Sequence, residues 1–269
     1  MIYSSDYRHP LEEAIRGELE RVLAFEELLT KYYEEVLFSQ RRIECLGKTV
    51  QVTENQFPAI YELLQEISAQ FDVPTPPLFI YEDFYYGAET EGCSTPWIEV
   101  SSKTVRDFDR EELAFILARQ VARIQLGHLK TRVTIELFNE LALGRLGAVL
   151  GGISLGLSST ALTTLRLSAK KWFRISNISM DCAAYLVVGS ISTASRAILM
   201  EVLNSKELAQ EVSVKAFLNQ SKDMDVNQDV FSLLAHYDQE VPFAPYRIKE
   251  LLRFASSDRA KAYCKKSKM

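Results

Sequence analysis

The chain has 269 residues, of which 47% are hydrophobic and 25% charged, and a formal net charge of -5 at pH 7. This composition is typical of a globular protein with a sizeable core, in one large domain or two small ones. The acidic balance argues against nucleic acid as the main partner, because phosphate binding depends on clustered Lys and Arg. No apolar signal segment follows Met1, so we expect a cytoplasmic protein.

One uncharged stretch, residues 146–165, has about the length needed to cross a bilayer. Half of it is Gly, Ser and Thr, however, so its transfer into lipid would gain little free energy. We therefore expect a buried or interfacial helix rather than a transmembrane span, and peripheral membrane contact through this stretch is left open.

The N-terminal part of the chain is predicted to be helical. Residues 10–40 are rich in helix formers, with apolar residues three and four apart. A turn and a short strand follow at residues 45–53, and residues 58–71 predict a second helix with Pro58 in its first turn.

Two apolar runs, residues 78–81 and residues 97–100, predict strands with a turn-rich stretch between them. From about residue 108 nearly everything predicts helix. We expect a mostly α-helical α+β fold. Residues 1–55 would form a helical segment and short strand packed on a main domain over residues 56–269, the whole making one continuous domain.

A helix at residues 109–130 is the best defined element. Asp109 can cap it, and Glu112 is placed to complete a capping box. The segment is apolar nearly all round, which is typical of a buried helix. Its polar exceptions are Arg119 and Arg123, four residues apart on one face, and Gln120 beside them.

This segment, EELAFILARQVARIQLGH, resembles the His-Glu-x-x-His helix of the M48 family of zinc metallopeptidases (HtpX type). In that family the two histidines ligate zinc and the glutamate activates water. The motif positions here read Arg119, Gln120 and Arg123. Arginine stays protonated and cannot ligate a metal, and glutamine cannot act as a general base.

Three further segments resemble the same family. GAETEGCSTPWIEVSS is similar to its Asn-Ala-x-x-x-Gly loop and following edge strand, with Gly87 at the Asn position. KKWFRISNISMDCAAYLV is similar to the segment of the third zinc ligand, with Asn177 in place of the ligating Glu and Asp181 retained. VPFAPYRIKELLRFASS is similar to a His-Pro segment, with Val241 in place of His and Arg247 retained. The likeness covers almost the whole chain and points to soluble bacterial members.

The resemblance implies a zincin-like domain with a small antiparallel sheet and a central helix that corresponds to the family's active-site helix. It also implies a degenerate site, without zinc, another cofactor or peptidase activity. We expect Asp181 to pair with Arg119 or Arg123, so that an ion pair replaces the metal as the strut between two helices. The alternative is that both arginines are solvated on an exposed helix edge.

The favoured hypothesis is a catalytically inactive homologue, a pseudopeptidase, that binds a peptide or protein, or regulates an active M48 peptidase. Its candidate peptide site is an edge strand that would accept an extended peptide by strand addition. The residues of that strand are Trp97, Ile98, Glu99 and Val100.

Two other hypotheses belong to different classes. One is an enzyme with another mechanism in the same cleft, with Cys93 or Cys182 as the nucleophile. The other is a structural subunit or membrane-surface adaptor that uses residues 146–165. His128 is expected to be a hydrogen-bonded core residue rather than a metal ligand.

Overall fold

A computed structural model describes residues 1–144, 159–220 and 240–266 of the chain. Within these residues the helices are α1 (Ser4–Tyr7), α2 (Leu11–Glu18), α3 (Glu20–Leu23), α4 (Glu26–Tyr32), a π-helical turn (Tyr33–Leu37), α5 (Phe38–Lys48), α6 (Pro58–Gln70), α7 (Ser102–Asp107), α8 (Arg110–Gln125), α9 (His128–Ala142), α10 (Ser159–Val188), α11 (Ile191–Leu203), α12 (Lys206–Glu211), α13 (Val214–Gln220), α14 (Ala244–Ser256) and α15 (Asp258–Lys266). The strands are β1 (Val50–Val52), β2 (Leu78–Tyr81), β3 (Ala88–Glu91) and β4 (Trp97–Ser101). The mostly helical α+β class is confirmed.

The four strands form one sheet in the order β1-β2-β4-β3. β1 runs antiparallel to β2, β2 runs parallel to β4, and β4 runs antiparallel to β3. The expectation of an antiparallel sheet is therefore wrong for one pair. β3 lies between β2 and β4 in the sequence and runs opposite to both. The chain therefore returns to the direction of β2 when it enters β4.

β4 is an interior strand, and the prediction that Trp97, Ile98, Glu99 and Val100 form an edge is wrong. β2 and β3 flank this strand, and all five of its residues are buried. Burial of every residue is typical of a strand covered on both faces, and the carboxylate of Glu99 is paired there with Arg41. The edge beyond β4 is β3, whose sequence AETE lies in the stretch that the sequence predicted as turn-rich and carries little strand signal.

α8 is the central helix of the fold. The capping box is present, since Asp109 accepts from the backbone of Glu112 while the Glu112 side chain accepts from the backbone of Asp109. The helix packs against α6, α10, α11 and β3. Gly127 then adopts φ +68°, and the helix expected over residues 109–130 is divided there into α8 and α9.

The N-terminal helix expected over residues 10–40 is a series of short helices. Leu19 and Phe25, with ψ near 0°, separate α2, α3 and α4, and the π-helical turn then leads into α5. The turn expected at residues 45–48 is the last turn of α5. Helical periodicity continues across these junctions, so the sequence pattern did not reveal the breaks.

Buried side chains form two large clusters. The main cluster lies between the sheet and helices α6, α8, α10, α11 and α14. A second cluster joins α2, α3 and α4 to α9 and α10. In the described residues no helix is both long enough and apolar enough to span a membrane, and residues 146–158 of the uncharged stretch lie outside that part of the chain.

Candidate functional site

Arg119 lies in the interior, with only 6% of its surface exposed. Its Nε is 2.8 Å from Asp181 Oδ1, and its Nη1 is 3.3 Å from Glu201 Oε1. The Nε–H does not point along a hydrogen bond, so the contact with Asp181 is an ion pair without a directed bond. Nη2 donates to Asn177 Oδ1 at 3.2 Å. The expected pairing of Asp181 with an arginine of the motif is present, and the solvated alternative is wrong for Arg119.

Arg247, on α14, approaches the same carboxylate from the other side. Its Nε and Nη2 donate to the two oxygens of Asp181 at 2.8 and 2.9 Å, and its Nη1 donates to Glu201 at 2.8 Å. Burial alone would lower the pKa of Arg247, but the two carboxylates raise it above its ordinary value. In Arg119, burial lowers the pKa and the neighbouring Arg247 lowers it further.

We call these five residues the Asp181 network: Arg119, Asn177, Asp181, Glu201 and Arg247. The network joins α8, α10, α11 and α14, and its two guanidinium groups balance its two carboxylates. Buried ions are tolerated when paired and hydrogen-bonded in this way. The positions that the resemblance assigns to two zinc ligands, residues 119 and 177, are hydrogen-bonded to each other here. A guanidinium group is a permanent cation and has no lone pair for a metal, so these side chains do not fit a zinc ion.

Gln120 binds the edge strand. Its amide nitrogen donates to the carbonyl oxygen of Ala88 at 2.9 Å, and its amide oxygen lies 3.0 Å from the hydroxyl of Thr90. Because Gly87 accepts from the backbone of Ser101, the next carbonyl, that of Ala88, points away from β4. Gln120 therefore binds the backbone acceptor of β3 to which an added strand would otherwise donate.

Arg123 lies one turn beyond Arg119 but takes no part in the Asp181 network. Its Nε donates to the sulfur of Met180 at 3.3 Å, which is a weak acceptor. No carboxylate in the described residues forms an ion pair with it. Burial lowers the pKa of Arg123 to about 10. The positive charges of Arg132 and Arg119 act in the same direction, and the carboxylates of Glu89 and Glu91 act against it without forming an ion pair.

A cavity of about 100 Å³ lies beside Arg123. Asn177 and Val241, which stand in place of the family's ligating Glu and of the His in its His-Pro segment, also line it. The structure thus brings three of the sequence-predicted residues to one cavity, between β3, α8 and α10. Gln120 and Asp181 do not line the cavity, because Gln120 contacts β3 and Asp181 contacts two arginines.

His128 is a hydrogen-bonded core residue, as expected. Its Nε2 lies 2.7 Å from Glu12 Oε1, and Ser179 donates to the other oxygen of Glu12. Burial lowers the pKa of His128 below 6.5, so the ring is neutral and donates from Nε2. Sequence reasoning missed Glu12. Its stretch of the chain was predicted only as a helix, and a glutamate in such a stretch carries no signal of burial.

Neither cysteine of the nucleophile hypothesis is activated. Cys182 is buried, and burial raises the pKa of its thiol well above the ordinary value. Cys93 is half-buried, and burial raises its pKa to about 12. Both thiols are protonated at neutral pH, and a thiol is a much weaker nucleophile than a thiolate. In the described part of the chain, no three His, Cys, Asp or Glu side chains converge as a metal site would require.

The fold and this site define a mostly helical α+β protein whose central helix is joined to three other helices by the Asp181 network and to the edge of a small mixed sheet by Gln120. Comparison with curated proteins finds similarity to the plastoglobule-localized metallopeptidase 48, chloroplastic, of Arabidopsis thaliana. The two are 25% identical over 230 residues, which is 82% of this chain and 62% of that protein. The chain therefore spans less than two thirds of the length of that relative. No protein-family model and no solved structure matches the chain.

The comparison supports the resemblance to M48 metallopeptidases, since the chain is a distant homologue of one. The aligned length is long enough to include both the central helix and the helices that hold Asp181 and Glu201. The name of that relative describes its own location and class only.

Proposed function

We propose that this chain is a non-catalytic homologue of M48 metallopeptidases, a pseudopeptidase, that binds a peptide or protein segment and acts as a regulatory subunit. An active M48 peptidase is the partner that the resemblance favours. The observation that carries the proposal is the Asp181 network, in which ion pairs and hydrogen bonds join the helices where the family motif would place the metal.

Catalysis by the family mechanism needs metal ligands and a base. The residues at these positions instead make hydrogen bonds within the protein. Arg119 and Asn177 are bound to each other, and Gln120 donates to β3. A carboxamide cannot accept the proton of an attacking water at neutral pH. This chemistry supports a structural use of all three residues.

Binding is the activity that the remaining geometry favours. The cavity beside Arg123 is open to a ligand between β3 and the start of α14, and Val241 at its rim is 49% exposed. Full strand addition is not favoured, because β4 is interior and Gln120 takes the Ala88 carbonyl of β3. We infer that a bound segment inserts a side chain or terminus into the cavity.

The two rival hypotheses have less support. The protonated thiols disfavour a cysteine nucleophile. A membrane-surface adaptor depends on residues 146–165, most of which lie outside the described part of the chain. Cytoplasmic location, with peripheral membrane contact as the alternative, remains part of the proposal.

The first test is the zinc content of the purified protein after zinc has been supplied, together with its melting temperature with and without a chelator. We expect far less than one equivalent of zinc and no change in the melting temperature, because a fixed guanidinium group repels a cation. Stoichiometric zinc whose removal destabilises the protein would refute the proposal.

Peptide binding is tested with a fluorescent library of unstructured peptides and a Val241→Trp variant. The larger side chain at the rim should block the cavity and abolish binding without loss of stability. Val202→Trp is the matched control, since Val202 is similarly exposed but lies on α11 away from the cavity. Equal binding by both variants would mean that the cavity is not the peptide site.

A further inference from the structure

Arg123 differs from the other arginines around the site because no carboxylate in the described part of the chain forms an ion pair with it. Arg119 and Arg247 share Asp181 and Glu201. Arg132, which lines the same cavity, is 2.7 Å from Glu136 and 4.0 Å from Glu89. In contrast, Arg123 makes one side-chain hydrogen bond within the described residues, to a thioether.

A half-buried guanidinium group without a carboxylate is unfavourable, because its desolvation is not compensated. Its planar fork offers several N–H donors, and Nε uses one of them on Met180. The remaining donors suit a group with two coplanar acceptor oxygens.

The cavity limits what that group can be. A volume of about 100 Å³ accommodates a carboxylate with a short stem, but not a large side chain. Trp172, Phe173 and Met180 provide apolar wall for the stem. Glu89 and Glu240 also border the cavity and repel any anion, so a carboxylate with one negative charge is disfavoured less than a dianion such as phosphate.

We propose that the cavity beside Arg123 binds a carboxylate group, which forms a bidentate pair with the guanidinium of Arg123. This inference deepens the proposed function, since it names the group by which a bound peptide is recognised. The carboxylate can come from a peptide C-terminus, from an acidic side chain or from a free short-chain acid, and the experiment separates these sources.

The first measurement is the melting temperature in sodium acetate against the same concentration of acetamide, at ionic strength matched with sodium chloride. Acetamide has the size of acetate without its charge. We expect acetate to raise the melting temperature of the wild type by roughly 2–4 °C and acetamide to leave it unchanged.

Arg123→Met is the decisive variant. Methionine fills the same space beside Met180 and removes the unpaired charge, so the variant should fold with equal or higher melting temperature and lose the acetate response. Arg253→Gln, an exposed arginine on α14, is the matched control and should respond as the wild type does. An acetate shift that survives in Arg123→Met, or acetate and acetamide shifts of equal size, would overturn the proposal.

Binding measurements with short peptides identify the source of the carboxylate. Short peptides are compared with a free or an amidated C-terminus, and with an internal Glu or Gln, by fluorescence anisotropy. A tenfold or larger preference for one carboxylate form that is lost in Arg123→Met supports the proposal and names the source. An acetate response without peptide binding supports a free acid and removes the peptide part of the proposed function. Peptides that bind equally with and without carboxylates leave the proposed function standing and overturn this inference.

Discussion

Arg119 and Arg123 lie one helical turn apart on α8, yet their surroundings give them opposite energetic roles. Arg119 contacts Asp181, Glu201 and Asn177. Arg123 contacts a sulfur atom and a cavity. The same substitution at the two positions should therefore have different consequences for stability.

We expect Arg119→His to lower the free energy of unfolding by about 3–5 kcal/mol, because it leaves the buried Asp181 and the half-buried Glu201 with one arginine. Arg123→His should change it by less than about 1 kcal/mol, since no carboxylate loses its partner. Urea denaturation at neutral pH measures both values. The sequence alone led to the expectation that Arg123 could belong to the strut, and a large loss at Arg123 would restore that view.

The sequence indicated four of the five residues of the Asp181 network, but it did not show which of them pair with each other. The family likeness marked Arg119, Asn177, Asp181 and Arg247 by their positions. It did not show which arginine reaches Asp181, because both motif arginines lie on one face of α8. Glu201 went unnoticed, since it lies on α11, far in sequence from any motif, and only the packing of α11 brings it to the two arginines.

At the scale of elements, a second polar contact holds helices together. Glu12 of α2 accepts from His128 of α9 and from Ser179 of α10. Burial alone would raise the pKa of Glu12, but the hydrogen bonds from His128 and Ser179 outweigh it and lower the pKa. The native state thus favours a charged Glu12 beside a neutral His128.

Acid should weaken this contact in two steps. The pKa of His128 is lower in the native state than its ordinary value of 6.5, so the unfolded chain takes up a proton first and stability falls as the pH drops below that value. The pKa of Glu12 is below its ordinary value of 4.5, so its contribution is lost at still lower pH.

We expect His128→Gln to reduce the loss of unfolding free energy between pH 7 and pH 5 by about 1 kcal/mol, because glutamine keeps a donor for Glu12 but does not titrate. Urea denaturation at the two pH values measures the difference. His9→Gln is the control for the other described histidine whose pKa burial lowers. A pH dependence unchanged by His128→Gln would mean that the ring is not held neutral.

Some helices and strands could be predicted from the local sequence, whereas others could not. α6, α8 and β4 carry strong local signals: Pro58 in the first turn, a capping box, and a run of apolar residues. β3 carries none, because AETE gains its strand conformation by pairing with β4 and by the contacts of Gln120 and Thr90. The error about the edge strand followed from missing β3, since β4 is the last strand only when β3 is absent.

The whole molecule contains two clusters of buried side chains of unequal size. The first seven residues join the main cluster through Ile2 and Tyr7, and the Tyr7 hydroxyl donates to Gln125 on α8. Ile15, Leu19 and Leu29 belong to the second cluster. The division of the chain at residue 55 stays a prediction, but these contacts place parts of the N-terminal segment on both clusters.

We expect the second cluster to open at a lower free energy than the main one. Its N-terminal helices are short, with few buried residues each, whereas α8 is buried over most of its length. Local opening free energies follow the amount of buried apolar contact. Native-state hydrogen exchange should therefore show the amides of α4 exchanging roughly 100-fold or more faster than those of α8.

A Leu29→Ala variant separates local from global opening. Leu29 is fully buried in the second cluster, so its truncation should lower the opening free energy of α4 and α9 by about 2–5 kcal/mol. The amides of α8 should keep their wild-type rates, because the Asp181 network and the main cluster do not contact this side chain. Faster exchange in α4, α9 and α8 alike would mean that the clusters unfold together. The Asp181 network would then stabilise the described part of the chain as one cooperative unit.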